Sequence, residues 1–336
     1  MKRILYIGNK LNSKKSNVTS IDTLVPLFEN EGYTLYYASS RINKGLRLFE
    51  MLLACIRYRK QVDFVIIDTY STLNFYYALL CSQLCRILKL NYIPSLNGGN
   101  LPKRLRENAM FCKLIFKNAY KNVSPSLYLK NAFEAFGYSN IVYIPNAIEL
   151  QLYDFKQRGF LEVKLFWVRA FSKIYNPSLA VKTLKTLQNK GITASLCMVG
   201  PDVDGSLAEV KALAKKLQVE VMFTGKLTKP EWIALSKDYN IFINTTNFDN
   251  MPVSVIEAMA LGLPIVSTNV GGMPFLIEHG HDGMLVHPNS MDEFVNAITW
   301  IVAHPNDTKK MALNARKKVE QFDWEVVKRE WHSLLR

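Results

Sequence analysis

The chain has 336 residues, of which 49% are hydrophobic and 21% charged, too many for one ordinary core and typical of a folded protein with two domains. Its five cysteines (Cys55, Cys81, Cys85, Cys112 and Cys197) form no CxxC pair and no even framework, which excludes a disulfide scaffold and argues against a metal role. The net charge of +14 is concentrated in one half: residues 1–150 hold 20 Lys/Arg against 9 Asp/Glu, and residues 151–336 hold 22 against 19. That asymmetry points to an acidic partner for the first half, such as lipid head groups, a phosphate-bearing acceptor or nucleic acid, or else to a merely soluble basic surface.

The opening MKRILYIGNK has too short an apolar run for a leader and reads as a strand over 4–7. The loop after it, from Gly8, Asn9 and Lys10 through Asn17, is long and polar and departs from the GxGxxG pattern, which argues against a nicotinamide site. Lys10, Lys14 and Lys15 suit a phosphate and suit plain solvation equally well. Residues 45–60 form an amphipathic helix with Leu46, Phe49, Leu53 and Ile56 on one stripe, flanked by Arg47, Arg57, Arg59 and Lys60. The stripe is expected to pack on the chain's own sheet, the alternative being an anionic lipid surface. Residues 64–68 are a buried strand. The most apolar stretch, 75–90, is cut by Arg86 and Lys89 below the ~20 residues that a membrane span needs.

Residues 90–100 give a strand and then Asn97-Gly98-Gly99, a turn whose glycines permit close backbone approach. Lys103, Arg104 and Arg106 follow as a second basic cluster. The first 150 residues thus alternate strand and helix, the pattern of a parallel sheet, and contain no histidine. Asn146 closes this half, and the polar, turn-prone 151–162 reads as a linker.

The second half begins with a strand over 164–168, followed by Arg169 and Lys173. The strand 194–200 ends at Gly200, and Asp202-Val203-Asp204 in the turn after it is a chance DxD rather than a metal site. Residues 221–225 are a strand that turns at Gly225 and Lys226. His279, His281 and His287 fall in a Gly-containing turn without ligand partners, so no zinc site is expected.

The most informative stretch is 244–285. A buried strand precedes it, Pro252 suits a first helical position, and Val253, Ile256, Met259 and Ala260 recur at helical spacing until Gly262 and Pro264 end the helix. Asp249 stands just ahead of the helix and Glu257 in its second turn. The free amides of residues 251–254 lie between them, where roughly half a positive charge attracts phosphate.

This run, with EAMALGLPIVSTNVGG after it, resembles the signature of family 4 glycosyltransferases, whose acidic pair has E-x7-E spacing; Asp249 takes the first place here. The resemblance implies an α/β chain of the GT-B architecture: two facing Rossmann-like domains and a C-terminal helix crossing back to the first. The boundaries would be 1–150 for the acceptor domain, 151–320 for the nucleotide-sugar domain and 321–336 for the crossing helix, with Trp324 and Trp331 as anchors. It further implies a retaining, metal-independent transfer from a nucleotide sugar, a UDP-sugar, to a glycan or lipid-linked acceptor in cell-surface polysaccharide synthesis. By it, Arg169 with Lys173 would face the departing diphosphate and Asp249 the sugar hydroxyls. Glu257, Asn250, Met251, Pro252, Val253, Ser254, Gly200, Gly225 and Lys226 would bind the donor. Gly8, Asn9, Lys10, Asn97, Gly98 and Gly99 would line the acceptor side, with Asn97 where many relatives carry histidine. The setting would be cytoplasmic, with peripheral contact on the anionic inner membrane face. A GT-B sugar-nucleotide epimerase would share the donor site. A nucleic-acid-binding protein would explain the charge, but its basic residues are not interleaved with aromatics.

Overall fold

The computed structural model describes residues 2–11 and 19–336; the expected loop lysines Lys14 and Lys15 lie outside them. The chain divides into two units, Met1–Asn146 with Val327–Arg336, and Ala147–Val326.

In unit 1, strands and helices alternate: β1 (Arg3–Ile7), α1 (Ser20–Asn30), β2 (Thr34–Ala38), α2 (Lys44–Tyr58), β3 (Phe64–Thr69), α3 (Asn74–Ile87) and β4 (Asn91–Leu96). Then come α4 (Leu101–Glu107), α5 (Ala109–Phe116), β5 (Asn122–Ser124), α6 (Leu127–Ala135) and β6 (Ile141–Tyr143). All strand pairs are parallel, in the order β2-β1-β3-β4-β5-β6. β3 is buried along its whole length, as a strand covered by helices on both faces must be.

Unit 2 repeats the plan with β7 (Val163–Val168), α7 (Pro177–Asn189), β8 (Ala194–Val199), α8 (Ser206–Lys216), β9 (Met222–Gly225), α9 (Lys229–Leu235) and β10 (Ile241–Asn244). It continues through α10 (Val253–Ala260), β11 (Ile265–Thr268), α11 (Met273–Leu276), β12 (Met284–Val286), α12 (Met291–Ala303) and α13 (Pro305–Val319). Its sheet is also fully parallel, ordered β12-β11-β10-β7-β8-β9. Alternate residues of β7 feed opposite cores: Leu165 and Trp167 pack with α7 and α12, Phe166 with α10 and Trp232. The final helix, α14 (Trp324–Leu334), carries the chain into unit 1, where Trp331 meets Phe28 edge-on at 5.3 Å and Lys328 pairs with Glu31 at 3.0 Å.

Two expectations need correction. The α2 stripe does not pack on the sheet: Leu46, Phe49, Leu53 and Ile56 are 58, 65, 48 and 42% exposed. The buried face is instead Arg47, Met51, Ala54 and Cys55, because its small residues let the helix approach closely. Arg47 sets the rotation, donating to the carbonyls of Arg41 (2.7 Å) and Ile42 (2.9 Å) and to Asn9 Oδ1 (3.2 Å). Second, 151–162 is no free linker but a strap bound to unit 2. The buried Arg158 guanidinium donates to the carbonyls of Ser236, Lys237, Tyr239 and Leu261. No described helix is long and apolar enough to cross a membrane.

Candidate active site

In an open parallel sheet, ligands bind beyond the carboxyl ends of the strands, where the strand order reverses. In unit 2 that point lies between β7 and β10. The loops leaving these two strands are tied together: Thr245 and Thr246 donate to the carbonyls of Tyr175 (2.8 Å) and Ile174 (3.3 Å), and Trp167 donates to Thr245 at 3.0 Å. Asn247 N–H adds a bond to the Ile174 carbonyl at 2.7 Å. The frame fixes Arg169, whose guanidinium lies 4.2 Å from the Tyr175 ring centroid and forms an ion pair with Asp249. Gly200, at φ +149°, backs onto the Arg169 carbonyl so closely that a Cβ would collide with it. Its N–H donates to the Gly225 carbonyl at 2.8 Å, which ties the turn after β8 to the end of β9.

Asp249 is held from behind. Its carbonyl accepts from Gly272 N–H at 3.0 Å, and its Oδ1 accepts from Asn250 N–H at 2.8 Å. A Cβ on Gly271 would strike the Asp249 carbonyl and one on Gly272 the Asn250 carbonyl, so the Gly-Gly turn presses both residues toward the α10 mouth. Pro252 is the N-cap in an extended conformation rather than the first helical residue. No side chain caps this helix, and the buried Ser254 hydroxyl has no partner. Uncapped amides beside an unsatisfied hydroxyl and an arginine form a ready site for an oxyanion.

Glu257, on the second turn, is buried and held through Oε1 alone, by Tyr153 OH at 2.6 Å and Lys229 Nζ at 2.9 Å. Burial, with the neighbouring Glu257 charge, pushes the Tyr153 phenol well above its usual range, so it remains a donor. Sequence reasoning missed both partners. Lys229 opens α9 in the box Thr228-Lys229-Pro230-Glu231, where Thr228 N–H donates to Glu231 at 2.7 Å; the capping pattern was the available signal. Tyr153 lies in the strap read as linker.

Other expected residues are elsewhere. Lys173 does not join Arg169: its ammonium is exposed and pairs with Glu209 at 3.6 Å. Lys226 is exposed in the turn after β9, and the cation beside Glu257 is Lys229; nothing in that placement tests the expected donor role of Lys226. Asp202 and Asp204 cap their own turn. Burial tends to raise the Asp204 carboxyl, but bonds from Ser206, Lys173 N–H and Ser172 outweigh it and hold it at about 2. Near His281 the structure adds the carboxylates Glu278 and Asp282 that the sequence reading lacked, the one such cluster among the described residues. Lys318 is already ion-paired to the buried Asp282 and supplies the positive charge there.

On the acceptor side, Asn9 is tied to Arg47 and Thr19, and Lys10 stacks on Tyr37, 3.6 Å from the ring centroid. Asn97 donates to Asp68 at 2.8 Å, and Gly98 packs on the Tyr70–Ser71 backbone, with Gly99 following in the same turn.

Two six-stranded parallel sheets, one in each unit, are the architecture of the GT-B class of fold. The solved structure of HepE from Anabaena with UDP-glucose matches 100% of this chain and 99% of its own at a TM-score of 0.80 and 16% identity. Residues 159–318 match the family Glycosyl transferases group 1. An uncharacterized glycosyltransferase of Haemophilus influenzae is 28% identical over 210 residues, 60% of this chain and 57% of the relative. A UDP-Gal:alpha-D-GlcNAc-diphosphoundecaprenol alpha-1,3-galactosyltransferase of Escherichia coli is 30% identical over 93 residues, 28% of this chain and 24% of the relative. The chain thus spans less than two thirds of the length of these curated relatives.

Proposed function

We propose that the chain is a retaining, metal-independent glycosyltransferase moving a sugar from a UDP-sugar to a glycan or lipid-linked acceptor in cell-surface polysaccharide synthesis. The observation that carries this reading is the α10 mouth: uncapped amides and a partnerless Ser254 hydroxyl beside Arg169, with Glu257 held one turn on. The diphosphate takes the amides of Val253 and Ser254, and Arg169 turns from Asp249 to its oxygens. Asp249 is then released to accept the sugar hydroxyls. Glu257, engaged through Oε1, offers Oε2 to a ribose hydroxyl. As the bond from C1 to the phosphate oxygen breaks, negative charge grows on the diphosphate, where Arg169 and the helix dipole lower its energy. The acceptor oxygen bonds to C1 on the same face and its proton passes to the departing phosphate. No side chain is covalently modified.

Nucleotide titration tests this. UDP raises the melting temperature of the wild type, and Glu257→Ala weakens UDP at least tenfold, the worth of one hydrogen bond to a charged group, about 1.5–3 kcal/mol. A wild type blind to UDP, or a variant binding it equally well, overturns the assignment. Transfer in EDTA and NMR assignment of the product anomer test metal independence and retention.

The acceptor in the E. coli relative's name, a sugar on diphosphoundecaprenol, supports a lipid-linked substrate. A peripheral position on the inner membrane face is the reading that the exposed α2 stripe supports, together with 14 Lys/Arg against 4 Asp/Glu over residues 41–121. Phe49→Glu should abolish co-sedimentation with phosphatidylglycerol vesicles; equal wild-type binding to phosphatidylcholine vesicles would contradict the charge argument.

A further inference from the structure

The unit 1 sheet has its own switch point, between β1 and β3, and a buried carboxylate stands at it. Asp68, on β3, is 6% exposed. Its Oδ1 accepts two bonds, from Tyr6 OH at 3.0 Å and Asn97 Nδ2 at 2.8 Å. Its Oδ2 is equally buried and accepts none. That oxygen lies over Gly8, where a Cβ would stand only 2.6 Å from it, so the glycine keeps the space open. A pocket of about 10 Å³, lined by Gly8, Asn9, Asp68, Tyr70, Asn74 and Tyr77, opens there. It holds one water-sized group.

A buried carboxylate oxygen without a donor is costly and rarely kept for packing alone. Burial pushes this carboxyl up to about 7, against the lowering effect of Tyr6 and Asn97 and with a small push from Asp22, so the group ionises near neutrality. The donor that fits must be small and uncharged or positive. A phosphate would be repelled, and a sugar ring exceeds the space; a single hydroxyl matches both limits.

We infer that Asp68 is an acceptor-binding residue whose Oδ2 receives one sugar hydroxyl at the β1–β3 switch point. This rests on the glycosyltransferase reading above. It also narrows it: the basic surface of unit 1 serves whatever anionic group the acceptor carries, and Asp68 reads a neutral part of the same molecule.

Asp68→Asn is the cleanest perturbation, because the amide oxygen keeps both bonds at Oδ1 and only the free oxygen becomes an N–H2 group. Saturation-transfer NMR on the full chain, with methyl glucoside, methyl galactoside and methyl N-acetylglucosaminide as probes and UDP as a parallel ligand, reads the result. At least one glycoside binds the wild type, D68N weakens it tenfold or more, and UDP affinity stays within twofold. Glycoside affinity unchanged in D68N, or no glycoside bound by the wild type, overturns the inference; a structural role alone would move stability and not affinity. Loss of UDP binding in the wild type would instead strike the donor assignment, leaving the glycoside arm to judge Asp68. Gly8→Ala, which keeps the carboxylate and fills the space over Oδ2, should reproduce the loss and carries the test if D68N does not fold.

Discussion

Asp68 also makes stability depend on pH in a direction opposite to most carboxylates. Its folded-state value of about 7 lies above the 3.8 of a free side chain, so between these values the folded chain binds more protons than the unfolded one. Stability therefore falls as pH rises from about 4 to 7 and is level beyond. The upper bound is about three pH units at 1.36 kcal/mol each, or about 4 kcal/mol. For a domain of 150–250 residues one kcal/mol moves the melting temperature by roughly 2–4 °C, so wild type and D68N should diverge by up to ~10 °C between pH 5 and pH 8. The amide in D68N leaves an N–H2 group without an acceptor, a pH-independent cost, so the slope rather than the level carries the test. Differential scanning calorimetry across that range, in buffers of matched ionisation heat, measures it. Parallel wild-type and D68N curves would show that Asp68 does not titrate near neutrality and would refute the burial argument.

Two further outcomes follow from the unit 2 site. Tyr153→Phe removes the 2.6 Å bond to Glu257 but leaves the one from Lys229. It should cost about 1.5–3 kcal/mol by thermal unfolding and weaken UDP, and an unchanged melting curve would mean that the bond contributes nothing. Gly272→Ala drives a Cβ into the Asn250 carbonyl, so the backbone carrying Asp249 must shift. Overpacking of this kind costs about 1–3 kcal/mol, and UDP affinity should fall more than tenfold by calorimetric titration.

Strands such as β1, β3, β4, β7, β8 and β10 were legible because parallel strands covered on two faces read as short apolar runs, and the α10 region because strand, proline, helix and Gly-Gly turn lie close together. β2, only partly buried, and the three-residue β5, β6 and β12 left no such run. The rotation of α2 was not legible. Periodicity reports where the bulky residues lie, and here the inward face was chosen by small ones, Ala54 and Cys55, and by a buried arginine. Tyr153 and Lys229 stayed hidden for another reason: each meets Glu257 across a long stretch of chain, and neither sits in an apolar pattern. Asp68 did leave a trace, a charged letter inside the fully buried strand FVIIDT, where an ionisable group has to be explained by something other than packing.

From Ser254 to Ala260 every side chain of α10 is enclosed. A helix confined on all sides can absorb almost no change of volume, so most of what looks like a binding signature is a record of steric confinement. In that run Glu257 alone has a side-chain oxygen that is engaged, by Tyr153 and Lys229, and the Ser254 hydroxyl has no partner. A designer wishing to retune the proposed donor site should leave the helix alone and work on what surrounds it: Tyr153 and Lys229 at Glu257, Arg169 at Asp249 and the backbone pressed forward by the paired glycines.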